Sequence, residues 1–252
     1  MRGQNWATAG LEILIVVVGI FLGFQVDRWY EAAKERKEET QYLERLLADT
    51  KANQAEFQRQ IDLYTQQIEG ILKVDEVILA GELPEADREQ FDAGLFAIGS
   101  LPTMRLQTGT YRELLAAGRL GLIRDQGIKE LLLEQDAVSE FVKTQHRDFR
   151  NMILSWIDPV NNQIGLRDNP EGLFPLMVYD FDRMKDDKPF REAMHQSLFI
   201  MKIFRSYRLN EAKLNELILA RLACKTEKTP CPALPDTRVR SLLISREPAE
   251  ND

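Results

Sequence analysis

The run from Ile13 to Phe24, ILIVVVGIFLGF, carries no polar side chain. Alone it falls short of the ~20 residues a helix needs to cross a bilayer. Its flanks extend it. Trp6 precedes it, and Trp29 and Tyr30 follow it. Such rings prefer the headgroup level, where an amphipathic ring meets both phases. From Trp6 to Trp29 a helix rises roughly 34 Å at about 1.5 Å per residue, which matches a hydrocarbon core of ~30 Å with a ring at each border. A signal-peptide core is a poorer reading, because Glu12 sits against the run and no convincing small-x-small cleavage site follows it. A buried soluble helix would have to be apolar on every face, and no later segment of the chain looks like that. The pattern predicts a transmembrane anchor over residues 1–29.

Glu12, Gly19 and Gly23 stand out inside this segment. Their spacing places them on one helix stripe, with Val16 and Val26 nearby. Gly19 and Gly23 form a small-xxx-small pair that lets a second helix approach closely. A carboxylate within lipid is costly and usually faces a partner or water. The stripe Glu12, Val16, Gly19, Gly23 is therefore the candidate docking face. The alternative places Glu12 in the interface and leaves the glycines incidental.

No Gly or Pro appears between Phe24 and Ile68. Arg28 to Glu39 is dense in charge, with opposite signs at helical spacing. Apolar positions then resume at Leu43, Leu47, Phe57, Ile61, Tyr64, Ile68, Ile71 and Ile78, a helix–helix seam interrupted at Thr50, Gln54 and Asp75. This predicts one helix from about residue 8 to about residue 80, with a bend possible at Gly70, and residues 30–80 forming its membrane-proximal part.

Residues 81–224 are expected to complete a bundle with that helix. A break at Gly81 to Pro84 precedes a helix over about 85–98. A short helix from Thr110 stops at Gly118. Asp125 is placed to cap a long helix carrying Ile128, Leu131, Leu132, Val138, Phe141, Val142, Phe149, Ile153 and Trp156, which Asp158-Pro159 ends. Asn161 to Asp187, with Gly165, Pro170, Gly172 and Pro175, reads as irregular. Asp186 or Asp187 caps a last helix, with Pro189 in its first turn, that runs to about Ala223. Its apolar positions are Phe199, Ile203, Phe204, Tyr207, Leu214, Leu217 and Ile218. Residues 225–252 form a Pro-rich, charged tail. With no β-rich stretch and no repeat, the chain reads as all-α: a helical bundle on a single span.

Composition narrows the function. The net charge is −7, which argues against nucleic-acid binding. There is no Walker loop, dinucleotide-binding glycine pattern, nucleophile elbow or His-rich metal spacing. His146 and His195 fall in predicted long helices and read as core or surface histidines. Asp180, Asp182, Asp186 and Asp187 lack the glycine and glutamate of an EF-hand loop and read as caps and solvated groups. No catalytic residue, cofactor or metal site is expected. Cys224 and Cys231 frame KTEKTP, a spacing that suits a small disulfide-closed loop; two free thiols remain open, and zinc would need further ligands. Arg28, Lys34, Arg36 and Lys37 read as a solvated face, because Glu31, Glu35, Glu38 and Glu39 are interleaved with them.

Two stretches resemble a bacterial family of uncharacterised single-span membrane proteins. One is Leu11 to Leu47, with a Glu opening a Val/Ile-rich span (Glu12), an aromatic-plus-charged exit (Trp29) and a Tyr-Leu pair in a long helix (Tyr42, Leu43). The other is Thr110, Tyr111, Glu113, Leu114, Gly118, Leu120, Ile123 and Asp125. The resemblance implies an inner-membrane location but no activity. Relatives often carry a longer basic leader, where this chain has only Arg2.

Orientation is pulled both ways. The basic residues after the span favour a cytoplasmic bundle. The cysteine pair and the leaders of relatives favour the periplasm, the side adopted here. The expected function is a non-catalytic accessory or scaffold subunit that docks through its span on an integral-membrane partner or on itself. The alternative is a membrane-tethered sensor or ligand-binding module.

Overall fold

The computed structural model describes residues 6–170 and 176–234, without the side chains of 6–9 and 13. Arg2, Gly172, Pro175, the side chains of Trp6 and Ile13, and the tail from residue 235 lie outside the described residues.

The stretch free of glycine and proline becomes part of one unbroken helix, α1, Trp6–Ala80, of 75 residues. Its N-terminal part is long and apolar enough to cross a membrane, and none of that apolar window is buried. From about Tyr42 onward one face of α1 turns inward: Leu43, Leu46, Phe57, Tyr64, Ile68, Ile71 and Val74 are buried. Gly81, at φ +79°, closes α1 and reverses the chain. Pro84 then leads through a 3-10 turn (Glu85–Asp87) into α2, Arg88–Ala97.

Helix α2 lies against α1 where Gly70 meets Gly94. A Cβ on Gly94 would stand 2.1 Å from the Gly70 carbonyl oxygen. Helix α1 continues through Gly70, which allows a close helix crossing there. The connector 98–108 has no regular structure, and polar residues of α1 hold its backbone. Asn53 makes a two-way clamp on Gln107, donating Nδ2 to its carbonyl at 3.0 Å and accepting its N–H at 2.6 Å. Gln60 Nε2 donates to the Thr103 carbonyl at 2.9 Å.

Helix α3, Gly109–Ala116, stops before Gly118, whose φ of +64° is a left-handed conformation that glycine adopts freely. A 3-10 turn (Leu120–Leu122) follows. Asp125 then caps α4, Gln126–Trp156, by accepting the Ile128 N–H. Pro159 opens the single turn α5, Asp158–Asn161.

The segment read as irregular contains more order than its composition suggests. Gly165–Arg167 (β1) pairs antiparallel with Leu176–Val178 (β2), a small strand pair that, among the described residues, accompanies a mostly helical fold consistent with the all-α class. Tyr179, just after β2, ties this pair to α2 by donating to Asp92 Oδ1 at 2.5 Å. Asp180 caps α6, Phe181–Lys185, and Asp187 caps α7, Lys188–Glu227. Asp182 pairs with Lys185. The aspartate cluster is thus used for capping and local pairing.

Helix α7 runs antiparallel to α1, with His195 beside Asp75 and Asn215 beside Thr50. It continues past Ala223 to Glu227. Cys224 and Cys231 are disulfide-bonded, and the chain beyond folds back: Leu234 packs on the base of the bundle, over Gly127. Two positions assigned to the seams face outward. Phe199 is 64% exposed and Phe141 52% exposed. Phe141 lies edge-on to Tyr207; the inward stripe of α7 instead passes through Ser197, Ile200, Met201, Phe204 and Arg208.

Candidate functional site

The described side chains singled out on the apolar part of α1 meet no other element among the described residues. Glu12, Val16, Gly19 and Gly23 are exposed, and a Cβ on either glycine would touch nothing within 4 Å. Trp29 and Tyr30 are likewise exposed. Trp6 begins the helix. This face remains available to lipid or to another helix.

The two segments carrying Tyr42 and Glu113 come together further along α1, past its apolar part. Glu113 receives the Tyr42 hydroxyl at 2.9 Å and both terminal nitrogens of Arg45, at 3.2 and 2.5 Å. Hydrogen bonds from Arg45 and then Tyr42 hold the Glu113 carboxyl below its usual range. Arg119 pairs with Glu38, and the Arg124 N–H reaches Glu39 at 2.7 Å. Arg45 and Arg119 both lie over the Tyr42 ring. Arg45, Glu113 and Arg124 are exposed and the other groups are half-buried, so solvent still screens each pair and each contributes little stability. Together they orient the α3 turn against α1 and present no reactive constellation.

A different site forms deeper in the bundle. Between the apolar cluster around Leu43, Leu114, Ile128 and Leu222 and the one around Tyr64, Ile71, Phe91 and Phe204, buried polar residues lie beside a third, smaller apolar cluster of Phe57, Ile61 and Ala212. The polar residues centre on an ion pair between Arg208 and Glu211, whose side chains are only 6% and 1% exposed. Ser139 Oγ donates to Glu211 Oε1 at 3.1 Å. Burial pushes the Glu211 carboxyl up, against the opposing pull of Arg208 and Ser139. Asn215 Nδ2 donates to the Thr50 carbonyl at 3.0 Å and to Gln54 Oε1 at 2.7 Å. Thr50 and Gln54, which interrupt the α1 seam, therefore face polar partners on α7. Asp75, the third interruption, accepts from the ring N–H of His195, Nε2 to Oδ1 at 3.0 Å.

Beside the ion pair lies a cavity of about 480 Å³ between α1, the connector, α4 and α7. Its floor is buried, and Arg105, Arg112 and Lys143 stand at an exposed rim. Three buried polar atoms on its lining have no hydrogen-bond partner: Arg208 Nε, Tyr111 Oη and Gln135 Oε1. An unsatisfied buried donor or acceptor costs about 1–3 kcal/mol. A buried ion pair is itself often no more stabilising than an apolar replacement. These polar residues are therefore not accounted for by stability alone. Among the described residues no group of His, Cys, Asp and Glu is arranged to hold a metal ion. His146 packs edge-on to Phe204, and burial pushes its pKa down.

Reading the α7 stripe as purely apolar hid this site. The signal is present in the spacing: Phe204, Arg208, Glu211, Asn215, Ile218 and Leu222 alternate steps of four and three along one face. Polar residues in the middle of such a stripe mark a buried polar layer. Comparison of the chain with protein-family models, with curated proteins and with solved structures finds no match.

Proposed function

We propose that the protein is a non-catalytic accessory or scaffold subunit of a bacterial inner membrane, anchored by the N-terminal part of α1. The observation that carries this reading is the exposure of that segment. Each described side chain from Gly10 to Glu31 is exposed, in a helix that continues without a break into the bundle. An apolar surface of that length needs lipid or another helix to cover it. Glu12, Val16, Gly19 and Gly23 form the face that docks on an integral-membrane partner or on a second copy, and Trp29 and Tyr30 sit at the headgroup border with Trp6 at the other. The convergence of the Tyr42 and Glu113 segments supports a place in the uncharacterised single-span family. The disulfide supports a bundle in the periplasm, where such bonds persist.

The test is purification of the native protein in mild detergent with identification of what accompanies it. Gly19→Ile combined with Gly23→Ile should abolish that association; unchanged association would sink the docking role. A second reading, a tethered sensor or ligand-binding module, is favoured by the polar cavity.

A further inference from the structure

We infer that the cavity at the Arg208–Glu211 pair binds a small zwitterion of the amino-acid class. This rests on the ligand-binding reading and is independent of docking through the span. The volume of about 480 Å³ lies within the range of small-molecule sites. The unpartnered groups are of both kinds. Arg208 Nε–H and the Tyr111 hydroxyl are open donors, and Gln135 Oε1 is an open acceptor. Arg208 and Tyr111 are 5% and 7% exposed, so bulk water does not readily satisfy these groups. A ligand that completes them carries an anionic acceptor at one end and an N–H donor at the other.

The charges agree. Arg105, Arg112 and Lys143 at the rim attract a carboxylate, while Asp136 and Glu211 on the lining offset them and suit an ammonium group. A phosphate-rich ligand would bring no N–H donor for Gln135 Oε1, and an apolar ligand would leave the open donors unmade. In the bound state a carboxylate accepts from Arg208 Nε and Tyr111 Oη, and the ammonium donates to Gln135 Oε1.

The experiment is isothermal titration of the full chain in detergent micelles with glycine, L-alanine, L-glutamine, L-glutamate and L-arginine, each alone. Acetate, ethylammonium and inorganic phosphate serve as single-ended controls. At least one amino acid should bind saturably and the controls should not. Tyr111→Phe should weaken that binding by about tenfold, or ~1.4 kcal/mol, without lowering the melting temperature of the unliganded protein, because the hydroxyl it removes has no partner in the protein. Gln135→Met should weaken binding likewise, and it also removes the donation of Gln135 Nε2 to Ser139 Oγ at 3.4 Å, so its melting temperature carries no weight; if it does not fold, Tyr111→Phe decides alone. Binding by none of the amino acids, equal binding of phosphate or acetate, or unchanged affinity in Tyr111→Phe each overturns the inference.

Discussion

Asp125 joins the base of α4 to the end of α7, and its replacement should destabilise the bundle in a pH-dependent way. Its Oδ1 accepts the Ile128 N–H and Arg221 Nε, both at 3.0 Å. Its Oδ2 accepts Arg221 Nη2 at 3.0 Å and Lys225 Nζ at 2.9 Å. The side chain is only 7% exposed. Burial alone would raise its pKa; the bonds to Arg221, Lys225 and Ile128 outweigh burial and hold it at about 2, against an ordinary 3.8. Because the folded value is depressed, the stabilisation is complete above the unfolded value and is lost as pH falls from about 4 through about 2. The difference converts to roughly 2 kcal/mol at neutral pH. Asp125→Asn keeps a capping oxygen but loses the charge, and should cost about that amount. Asp125→Ala also loses the cap, worth about 1 kcal/mol, for a total of ~3 kcal/mol. The total stays below the penalty for an orphaned buried charge, because Arg221 and Lys225 are 20% and 41% exposed and can rehydrate. Urea unfolding of the full chain in detergent micelles, followed by far-UV circular dichroism, measures both. The gap between wild type and Asp125→Asn should fall to roughly half near pH ~3. A gap that ignores pH, or an Asn variant as damaged as the Ala variant, would refute the reasoning.

The remaining predictions concern the helix crossing and the disulfide. Gly94→Ala should cost about 3 kcal/mol or more, at or beyond the usual range for overpacking, because its Cβ would meet the Gly70 backbone at 2.1 and 2.5 Å. Gly70→Ala, whose nearest contact would be 3.0 Å, should cost clearly less, helped by alanine's helix propensity of about 1 kcal/mol; equal unfolding midpoints for the two variants would contradict the close-crossing geometry. Reduction of Cys224–Cys231 should cost about 2 kcal/mol by chain entropy for so short a loop. The loss should be local, seen as faster amide exchange near residues 231–234 and at the start of α4, where Leu234 covers Gly127. Unchanged exchange after complete reduction would rule out that role.

Features that depend on neighbouring residues were legible in the sequence. The exposed apolar start of α1, its length, the caps at Asp125 and Asp187 and the stop at Gly118 follow from periodicity, side-chain chemistry and backbone freedom within a turn or two. Even the breaks in the α1 seam at Thr50, Gln54 and Asp75 stood out as polar residues among apolar ones. Their partners did not. Asn215 and His195 lie far along the chain, and only the antiparallel docking of α7 on α1 places them opposite. The rotation of α7 about its axis turns Phe199 outward and Arg208 with Glu211 inward, and that phase is set by packing against α1, α4 and α5 at once. The approach of Gly70 to Gly94 and the short β1–β2 pairing are likewise products of long-range contact. The sequence alone therefore determined which segments are helical and which one is apolar enough for a membrane. Tertiary structure decided which polar groups are buried together, because burial belongs to pairs of surfaces and not to a residue and its neighbours.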